Sequence, residues 1–301
     1  MQQKTQIWLQ AFRLRTLPLA LANAVMGSLL ALSHGAFSWP VFILTLLTIT
    51  FLQILSNLAN DYGDAVSGKD TDKRVGPTRV TVTGMVSISE MKRMIVLFVA
   101  LSVVSGSLLI YFGLHGLKVG KILLFFAMGA AAIIAAIKYT VGRNPYGYKG
   151  LGDIFVFVFF GLAGVLGTYF LHTHWFDIYL LYPASVIGLF STGVLNINNL
   201  RDIETDRETG KNTLAVQYGL RFARQYHVSL LSIGWLLSLI YTLTTFFSWW
   251  QLIYLLTLPL FIRNILRIYR HKNPSELNHE LKNLAMATFL FALLFGLGNI
   301  I

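Results

Sequence analysis

Residues 40–64 read PVFILTLLTITFLQILSNLANDYGD, and this stretch decides the fold. Positions 40–60 carry no charged side chain, and a helix needs about 20 mostly apolar residues to cross a bilayer. The acids Asp61 and Asp64 follow directly. A span that ends in carboxylates predicts a transmembrane helix whose acidic end lies at the membrane boundary.

Eight further apolar stretches have a similar length, and they are 17–33, 94–113, 121–138, 154–171, 178–197, 228–247, 250–269 and 284–301. The chain of 301 residues is 55% hydrophobic and 12% charged, whereas a soluble domain is about 25% charged. We therefore predict an all-α, polytopic membrane protein of nine transmembrane helices in a bundle, enclosing a central cavity open to the cytoplasmic boundary. A single domain would cover 1–301, with 1–16 as an interfacial N-terminal segment. The absence of cysteine excludes disulfides and thiolate metal sites.

The basic residues predict the orientation. Of the 24 lysines and arginines, all but Lys118 and Lys121 fall in alternate connections between the spans. The positive-inside rule places those connections and the N-terminus in the cytoplasm, and Ile301 outside. We expect a multi-pass protein of the bacterial cytoplasmic (inner) membrane. The net charge of +11 is then an orientation signal, and no nucleic-acid partner is expected.

The motif that begins at Asn57 has a relative later in the chain, Asn198-Asn199-Leu-Arg201-Asp202-Ile-Glu-Thr-Asp206. A shift of 142 residues places Asn57 on Asn199, Asn60 on Asp202, Asp64 on Asp206 and Gly68 on Gly210. Each motif closes an even-numbered span. The match predicts an internal repeat, with two helical units that face each other.

Helical spacing places the acids of each motif on one face, because residues at i, i+3, i+4 and i+7 lie on the same side of a helix. Two such clusters repel each other unless a cation lies between them. Carboxylate and amide oxygens favour Mg²⁺, which binds few carboxylates together with substrate phosphates. The candidate metal ligands are Asn60, Asp61, Asp64, Asp70, Asp202 and Asp206. The plain alternatives are solvated loop ends and an ion pathway.

Magnesium at a membrane boundary suits a lipid whose head group carries phosphate. Basic, amide and tyrosine side chains in the cytoplasmic loops, about 61–93, 139–153 and 198–227, are candidates to bind such a substrate. The substrate-binding candidates are Asn57, Asn60, Arg79, Arg143, Tyr148, Lys149, Asn198, Arg201 and Lys211. The candidate catalytic residues are Asp64, Asp202, Asp206 and Tyr139. Asn23, a polar residue inside the first span, either lines a cavity or bonds to a neighbouring helix.

The two acidic motifs, together with Gly210-Lys211-x-Thr213-Leu214, resemble the UbiA superfamily of intramembrane prenyltransferases over nearly the whole chain. Within it, the stretches 57–64, 139–153 and 195–214 most resemble members that prenylate 1,4-dihydroxy-2-naphthoate in menaquinone biosynthesis. Many members have a third Asp where this chain has Gly68, and Asp70 is the candidate replacement.

The resemblance implies a reaction. Two Mg²⁺ ions would bridge the motifs and a polyprenyl diphosphate in contact with membrane lipid, and the prenyl group would pass to 1,4-dihydroxy-2-naphthoate. Loss of CO₂ and diphosphate would give demethylmenaquinone. The alternative within the superfamily is another acceptor: 4-hydroxybenzoate, homogentisate or haem. The alternative of another class is a membrane transporter, which would carry its polar residues at the membrane midplane.

Overall fold

The structure is a computed structural model that describes residues 2–69, 75–76, 79–81 and 83–301. Within those residues, nine helices are long and apolar enough to cross a membrane, and this confirms the predicted number. The helices are α1 Gln2–Phe12, α2 Leu17–Ser33, α3 Trp39–Val66, α4 Ile88–Leu114, α5 Val119–Lys138, α6 Gly152–Thr173, α7 Leu181–Arg201, α8 Ile203–Glu208, α9 Leu214–Thr244, α10 Trp249–Arg270 and α11 Leu277–Gly298.

Several helices extend beyond their apolar stretches, at the end of the bundle that holds the acidic motifs. Helix α4 begins at Ile88, where Ser87 accepts a hydrogen bond from the backbone N–H of Glu90 and the Glu90 carboxylate accepts one from the backbone N–H of Ser87. This capping box satisfies N–H groups at the helix start. Thr213 caps α9 in a similar way. Caps and polar turns therefore set these boundaries, which hydropathy alone places further inside the helix.

The core is divided between the two halves of the chain. In the second half, aromatic rings from α7, α9, α10 and α11 pack together, with the ring centres of Phe190 and Phe261 only 4.5 Å apart. In the first half, a separate cluster joins α3 and α4, and Phe12 of α1 packs edge-on against Phe98. Helix α2 packs with the second half. A cavity of about 440 Å³ lies between these packed regions, and residues of α2 to α8, of α11 and of the adjoining loops line it.

Helix α6 departs from regular α-helical geometry. Its middle part, Phe157–Leu166, is a π-helix, a wider turn that is frequent at functional sites. Glycines let this stretch approach its neighbours. A Cβ atom at Gly161 would lie 2.6 Å from the Ala184 carbonyl oxygen, and one at Gly164 would lie 2.7 Å from Asn23 Nδ2. The π-helical stretch therefore lies directly against α2 and α7 along the cavity wall.

Candidate active site

Asp64, an acid of the first motif, has three side-chain partners. Its side chain is almost fully buried near the end of α3. Oδ2 lies 2.5 Å from Arg79 Nη1 and 2.8 Å from Lys211 Nζ, and Oδ1 accepts a short hydrogen bond from the Tyr148 hydroxyl. Three separate segments of the chain thus converge on one carboxylate.

The other polar residues of this motif have different neighbours. Asn57 donates to the Phe12 carbonyl oxygen at 3.0 Å and to Thr16 Oγ1 at 3.1 Å, so it fixes the turn between α1 and α2. Asn60 accepts a hydrogen bond from Thr140 Oγ1 at 3.3 Å. Both asparagines line the cavity, and each also ties α3 to a neighbouring segment.

Asp61 lies at the edge of the helical face that carries Asp64. It pairs with Arg13 and Arg79 and lines a separate pocket of about 220 Å³, while it is absent from the lining of the main cavity. Because α3 is continuous through Val66, the four polar residues keep the predicted helical spacing, with Asp61 about 60° around the helix from Asp64. The structure does not bring the Asp61 carboxylate into the main cavity with the other three. Asp70, the other predicted ligand, lies outside the described residues.

The second motif is held by Arg201. Its Nε and Nη2 donate to the two oxygens of Asp202 at 2.7 and 2.6 Å, and Nη2 also donates to Asn198 Oδ1 at 2.7 Å. A bidentate arginine fixes the carboxylate plane. Arg201 is buried and does not line the cavity, so in this structure it positions Asp202.

Helix α7 ends at Arg201, and Asp202 has φ −97° and ψ 9° before the short helix α8 begins. The predicted helix through Asn198, Asp202 and Asp206 is therefore interrupted at Asp202, although the backbone N–H groups of Asp202 and Asp206 still donate to the carbonyl oxygens four residues before them. All three side chains still line the same cavity. Asp206 therefore stays in the cavity wall despite the interruption.

The two motifs end in the same backbone turn. Gly68 and Gly210 both have left-handed φ values, 66° and 71°. The N–H of Lys69 donates to the Asp64 carbonyl oxygen at 3.0 Å, and that of Lys211 donates to the Asp206 carbonyl oxygen at 2.8 Å. A left-handed glycine with this bond is a common helix ending. The repeat at 142 residues is therefore also a repeat in backbone structure.

The two lysines that follow these glycines meet at Tyr148. Lys69 Nζ and Lys211 Nζ each lie 5.2 Å from the centre of its ring, within range of a cation–π interaction. Lys211 Nζ is also 3.9 Å from Asp206 Oδ1, while Lys69 Nζ donates to the Thr209 carbonyl oxygen. The repeat thus brings its paired cations to one aromatic side chain beside Asp64.

The tyrosines of the cavity remain protonated at neutral pH. Burial raises the pKa of Tyr139, and the nearby carboxylate of Asp153 raises it further. Burial also raises the pKa of Tyr148, with a further contribution from Asp64. A hydroxyl with a raised pKa donates hydrogen bonds and is a poor general base. These side chains can therefore orient charged groups and offer aromatic faces.

The cavity gathers most of the predicted site residues. Those in its wall are Asn57, Asn60, Asp64, Arg79, Tyr139, Tyr148, Asn198, Asp202, Asp206 and Lys211. Arg143 and Lys149 lie on exposed surface outside it, because the 139–153 loop turns its tyrosines inward and these two cations outward. Thr16, Gln53 and Ser56 also line the cavity but were not among the predicted site residues. The available signal was helical spacing on α3, where Gln53 is four residues before Asn57 and Ser56 is four before Asn60, and for Thr16 its place directly before α2.

The donor set fits Mg²⁺ bound jointly with phosphate. Asp64, Asp202 and Asp206 offer hard oxygen ligands in one cavity wall. Within the described part of the chain, no three acidic or histidine side chains form a ready metal cluster. Arginine and lysine side chains pair with all three carboxylates instead. Such an arrangement suits a cation that takes its remaining ligands from a substrate's phosphates.

Comparison with known proteins agrees with this geometry. The sequence model described as the UbiA prenyltransferase family matches residues 20–297. A protein of Haemophilus influenzae named 1,4-dihydroxy-2-naphthoate octaprenyltransferase is 46% identical over 99% of this chain and 97% of its own length. A protein of the same name from Escherichia coli is 44% identical over 98% of this chain and 95% of its own length.

Solved structures share the fold. A UbiA homolog from Archaeoglobus fulgidus bound to GPP and Mg²⁺ superposes with a TM-score of 0.65 at 18% sequence identity. The superposition covers 98% of this chain and 99% of that one.

Proposed function

Because the chain belongs to the UbiA prenyltransferase family, we propose that it transfers a polyprenyl group from polyprenyl diphosphate to 1,4-dihydroxy-2-naphthoate. The observation that carries the proposal is the 46% identity, over 99% of the chain, to a protein named for that reaction. Support comes from the cavity, whose wall contains acids of both motifs and the lysine that bridges them.

The diphosphate end of the substrate binds between the two motifs. Asp64, Asp202 and Asp206 would hold two Mg²⁺ ions. Bound Mg²⁺ would neutralise the negative charge that develops on the departing diphosphate. Lys211 and Arg79 contact Asp64 directly. Their N–H groups can also donate hydrogen bonds to the phosphate oxygens, and this stabilises the same negative charge. Arg201 keeps Asp202 oriented.

The prenyl carbon next to the diphosphate becomes electron-poor as the C–O bond breaks. The aromatic faces of Tyr139 and Tyr148 can stabilise positive charge on that carbon, and the hydroxyls of both residues are neutral. The ring carbon of the acceptor that bears the carboxylate forms the new C–C bond. The bond to the carboxylate then breaks, CO₂ leaves, and its electron pair restores the aromatic ring. The product is the quinol form of demethylmenaquinone.

The membrane placement follows from charge. We place the motif end of the bundle at the cytoplasmic face of a bacterial inner membrane, with the N-terminus inside and Ile301 outside. Residues 1–301 act as one prenyltransferase domain, and the apolar tail of the substrate contacts lipid. The cavity would open toward the cytoplasmic boundary, where a diphosphate is soluble.

One experiment tests the proposal. The purified protein is incubated with Mg²⁺, octaprenyl diphosphate and, in separate reactions, 1,4-dihydroxy-2-naphthoate, 4-hydroxybenzoate and homogentisate, and products are identified by mass. We expect a prenylated product from the naphthoate, and none when EDTA replaces Mg²⁺. Prenylation of another acid alone would assign the protein to a different acceptor.

A further inference from the structure

Three arginines form a row along one side of α10, near the end of the bundle that holds the acidic motifs. They are Arg263, Arg267 and Arg270, at helical positions i, i+4 and i+7, and all three side chains are exposed. Residues with this spacing lie on one side of a helix. Arg263 and Arg270 make no hydrogen bond or ion pair with the residues that the structure describes. This row of cations, which we call the arginine row, therefore faces outward from the bundle.

The arginine row lies between the buried side and the apolar outer side of α10. With 3.6 residues per turn, its members are about 60° to 120° around the helix from the buried Asn264. The opposite side of the helix carries exposed apolar side chains, which are Ile262, Leu266 and Tyr269. Apolar side chains that a transmembrane helix exposes contact the acyl chains of the bilayer. The arginine row therefore lies directly beside a surface that lipid covers.

A buried carboxylate of α11 holds the middle arginine of the row. Glu280 is 3% exposed, and its Oε1 lies 3.5 Å from Arg267 Nη1 and accepts a hydrogen bond from Asn283 at 3.2 Å. Its Oε2 accepts one from Asn264 at 3.0 Å. The Arg267 side chain is nevertheless 56% exposed. Because a guanidinium has five N–H donors, Arg267 is fixed against α11 and still has donors available at the surface.

Arg263 lies inside the membrane-spanning part of α10. The other end of this helix begins with two exposed tryptophans, Trp249 and Trp250, a residue type enriched where a membrane meets water. Residues Trp249–Thr257 form a 3₁₀-helix and the remainder is α-helical, so Arg263 is about 23 Å along the axis from Trp250. The hydrocarbon core is about 30 Å thick. The backbone of Arg263 therefore lies about 7 Å inside the hydrocarbon boundary at the motif end.

An exposed arginine at this depth needs an anion at the membrane surface. A charge in hydrocarbon is costly unless the long side chain extends to the head groups, where the lipid phosphates are. The positive-inside rule accounts for basic residues in connections between spans. It does not require a row that starts within a span and is held by a buried carboxylate. Residues 258–284 carry five lysines and arginines against two glutamates, so this surface attracts anions.

We propose that the arginine row binds the phosphate groups of an anionic phospholipid in the leaflet at the motif end of the bundle. A guanidinium donates two parallel hydrogen bonds to a phosphate. The row extends over about 10 Å of helix, so it suits a lipid with two phosphate groups, such as cardiolipin. The acyl chains pack on the apolar outer side of α10. None of the three arginines lines the cavity, so this site is separate from the proposed diphosphate site.

Lipid titration in a neutral detergent tests the proposal. Dissociation constants of the purified protein for cardiolipin and for phosphatidylcholine are determined by native mass spectrometry. We expect the wild-type protein to bind cardiolipin more tightly. The triple variant Arg263→Gln/Arg267→Gln/Arg270→Gln should bind cardiolipin about a hundredfold more weakly, since each cation near a membrane surface contributes about fivefold. Its affinity for phosphatidylcholine should not change.

The matched control removes three charges elsewhere at the same end of the bundle. Lys92→Gln/Arg93→Gln/Arg221→Gln changes three exposed residues of α4 and α9, and it should keep the wild-type affinity for cardiolipin. Sodium pyrophosphate in large excess should not displace cardiolipin, because it lacks the acyl chains that contact α10.

A second variant of the row keeps both the charge and the orientation signal. Arg263→Lys/Arg267→Lys/Arg270→Lys should weaken cardiolipin binding about tenfold, because lysine does not form the bidentate contact. This variant decides the question if the glutamine variant does not fold.

Four results would overturn the inference. They are wild-type affinity for cardiolipin in the glutamine variant, wild-type affinity in the lysine variant, an equal loss in the matched control, and displacement of cardiolipin by pyrophosphate. The last would make the row a site for free phosphates. Each result leaves the proposed prenyl transfer standing, since the cavity and turnover do not enter the measurement.

Discussion

The ammonium groups of Lys69 and Lys211 lie at the same distance, 5.2 Å, from the centre of the Tyr148 ring. The two lysines are 142 residues apart, and each follows a glycine in the left-handed region after an acidic motif. Lys69 and Lys211 occupy equivalent positions in the sequence repeat, and both lie beside the candidate active site. Lys211 also reaches acids of both motifs, so charge from both halves of the chain meets beside Asp64.

Removing the charge of Asp64 should abolish most turnover. Asp64→Asn takes one oxygen ligand from the proposed Mg²⁺–diphosphate site, and we expect a rate loss of about a thousandfold, or about 4 kcal/mol of barrier. Asp177→Asn is the matched control, since Asp177 caps a turn at the other end of the bundle through a side-chain oxygen that Asn retains. Near-normal turnover in Asp64→Asn at saturating Mg²⁺ would contradict the metal assignment.

Lys211→Gln should raise the KM for polyprenyl diphosphate about tenfold or more, because a charge-assisted contact to phosphate is lost. Lys69→Gln should have a smaller effect, since its ammonium group is bonded to the Thr209 carbonyl oxygen. Initial-rate kinetics with varied diphosphate and saturating acceptor measure both. Equal KM values for the two variants would show that the paired lysines contribute alike.

Gly63→Ala should destabilise the protein by about 1–3 kcal/mol. A Cβ atom at this position would lie 2.5 Å from Thr140 Oγ1 and 2.7 Å from its backbone, and Thr140 is hydrogen-bonded to Asn60. Gly120→Ala on α5 is the control, because apart from the adjoining backbone of its own helix no atom lies within 4 Å of its Cβ position. Thermal unfolding in detergent measures the difference. The same transition temperature in both variants would refute the close contact between α3 and the 139–153 loop.

The raised pKa of Tyr139 should make the protein less stable to unfolding at alkaline pH. Its pKa is raised in the folded protein, so its hydroxyl stays neutral while that of the unfolded chain ionises from about pH 10. Folding then loses free energy as the pH rises above 10. Tyr139→Phe should show a smaller decrease in transition temperature between pH 9.5 and 11 than the wild-type protein. A parallel decrease in both proteins would contradict the raised pKa.

Membrane orientation is tested with single cysteines, since the chain has none. Glu208→Cys and His115→Cys place exposed thiols at opposite ends of the bundle. An impermeant thiol reagent applied to intact cells should label His115→Cys only, and both after lysis. Labelling of Glu208→Cys in intact cells would invert the proposed orientation.

Much of the architecture follows from composition, because span length and charge bias are strong signals in membranes. The nine helices and the meeting of the two motifs agree with what the sequence predicts. The direction of an individual side chain around its helix, which a few tens of degrees decide, does not follow from the sequence. Asp61 is one position from Asn60, yet it turns to Arg13 and Arg79.

Local folding explains the other differences. The helix break at Asp202 coincides with the bidentate contact that Arg201 makes to the carboxylate of the next residue. The outward direction of Arg143 and Lys149 depends on how the 139–153 loop packs its tyrosines, for example Tyr146 against Phe155 at 3.9 Å between ring centres. Neither feature has a periodic signature in the sequence.

The most direct test of the central claim is the fate of the acceptor's carboxylate. The wild-type protein is given Mg²⁺, octaprenyl diphosphate and 1,4-dihydroxy-2-naphthoate labelled in the carboxyl carbon, and labelled CO₂ and prenylated product are measured together over time. The account predicts one CO₂ for each prenylated ring, with no CO₂ released when the diphosphate is omitted. A prenylated product that retains the labelled carboxylate would contradict it.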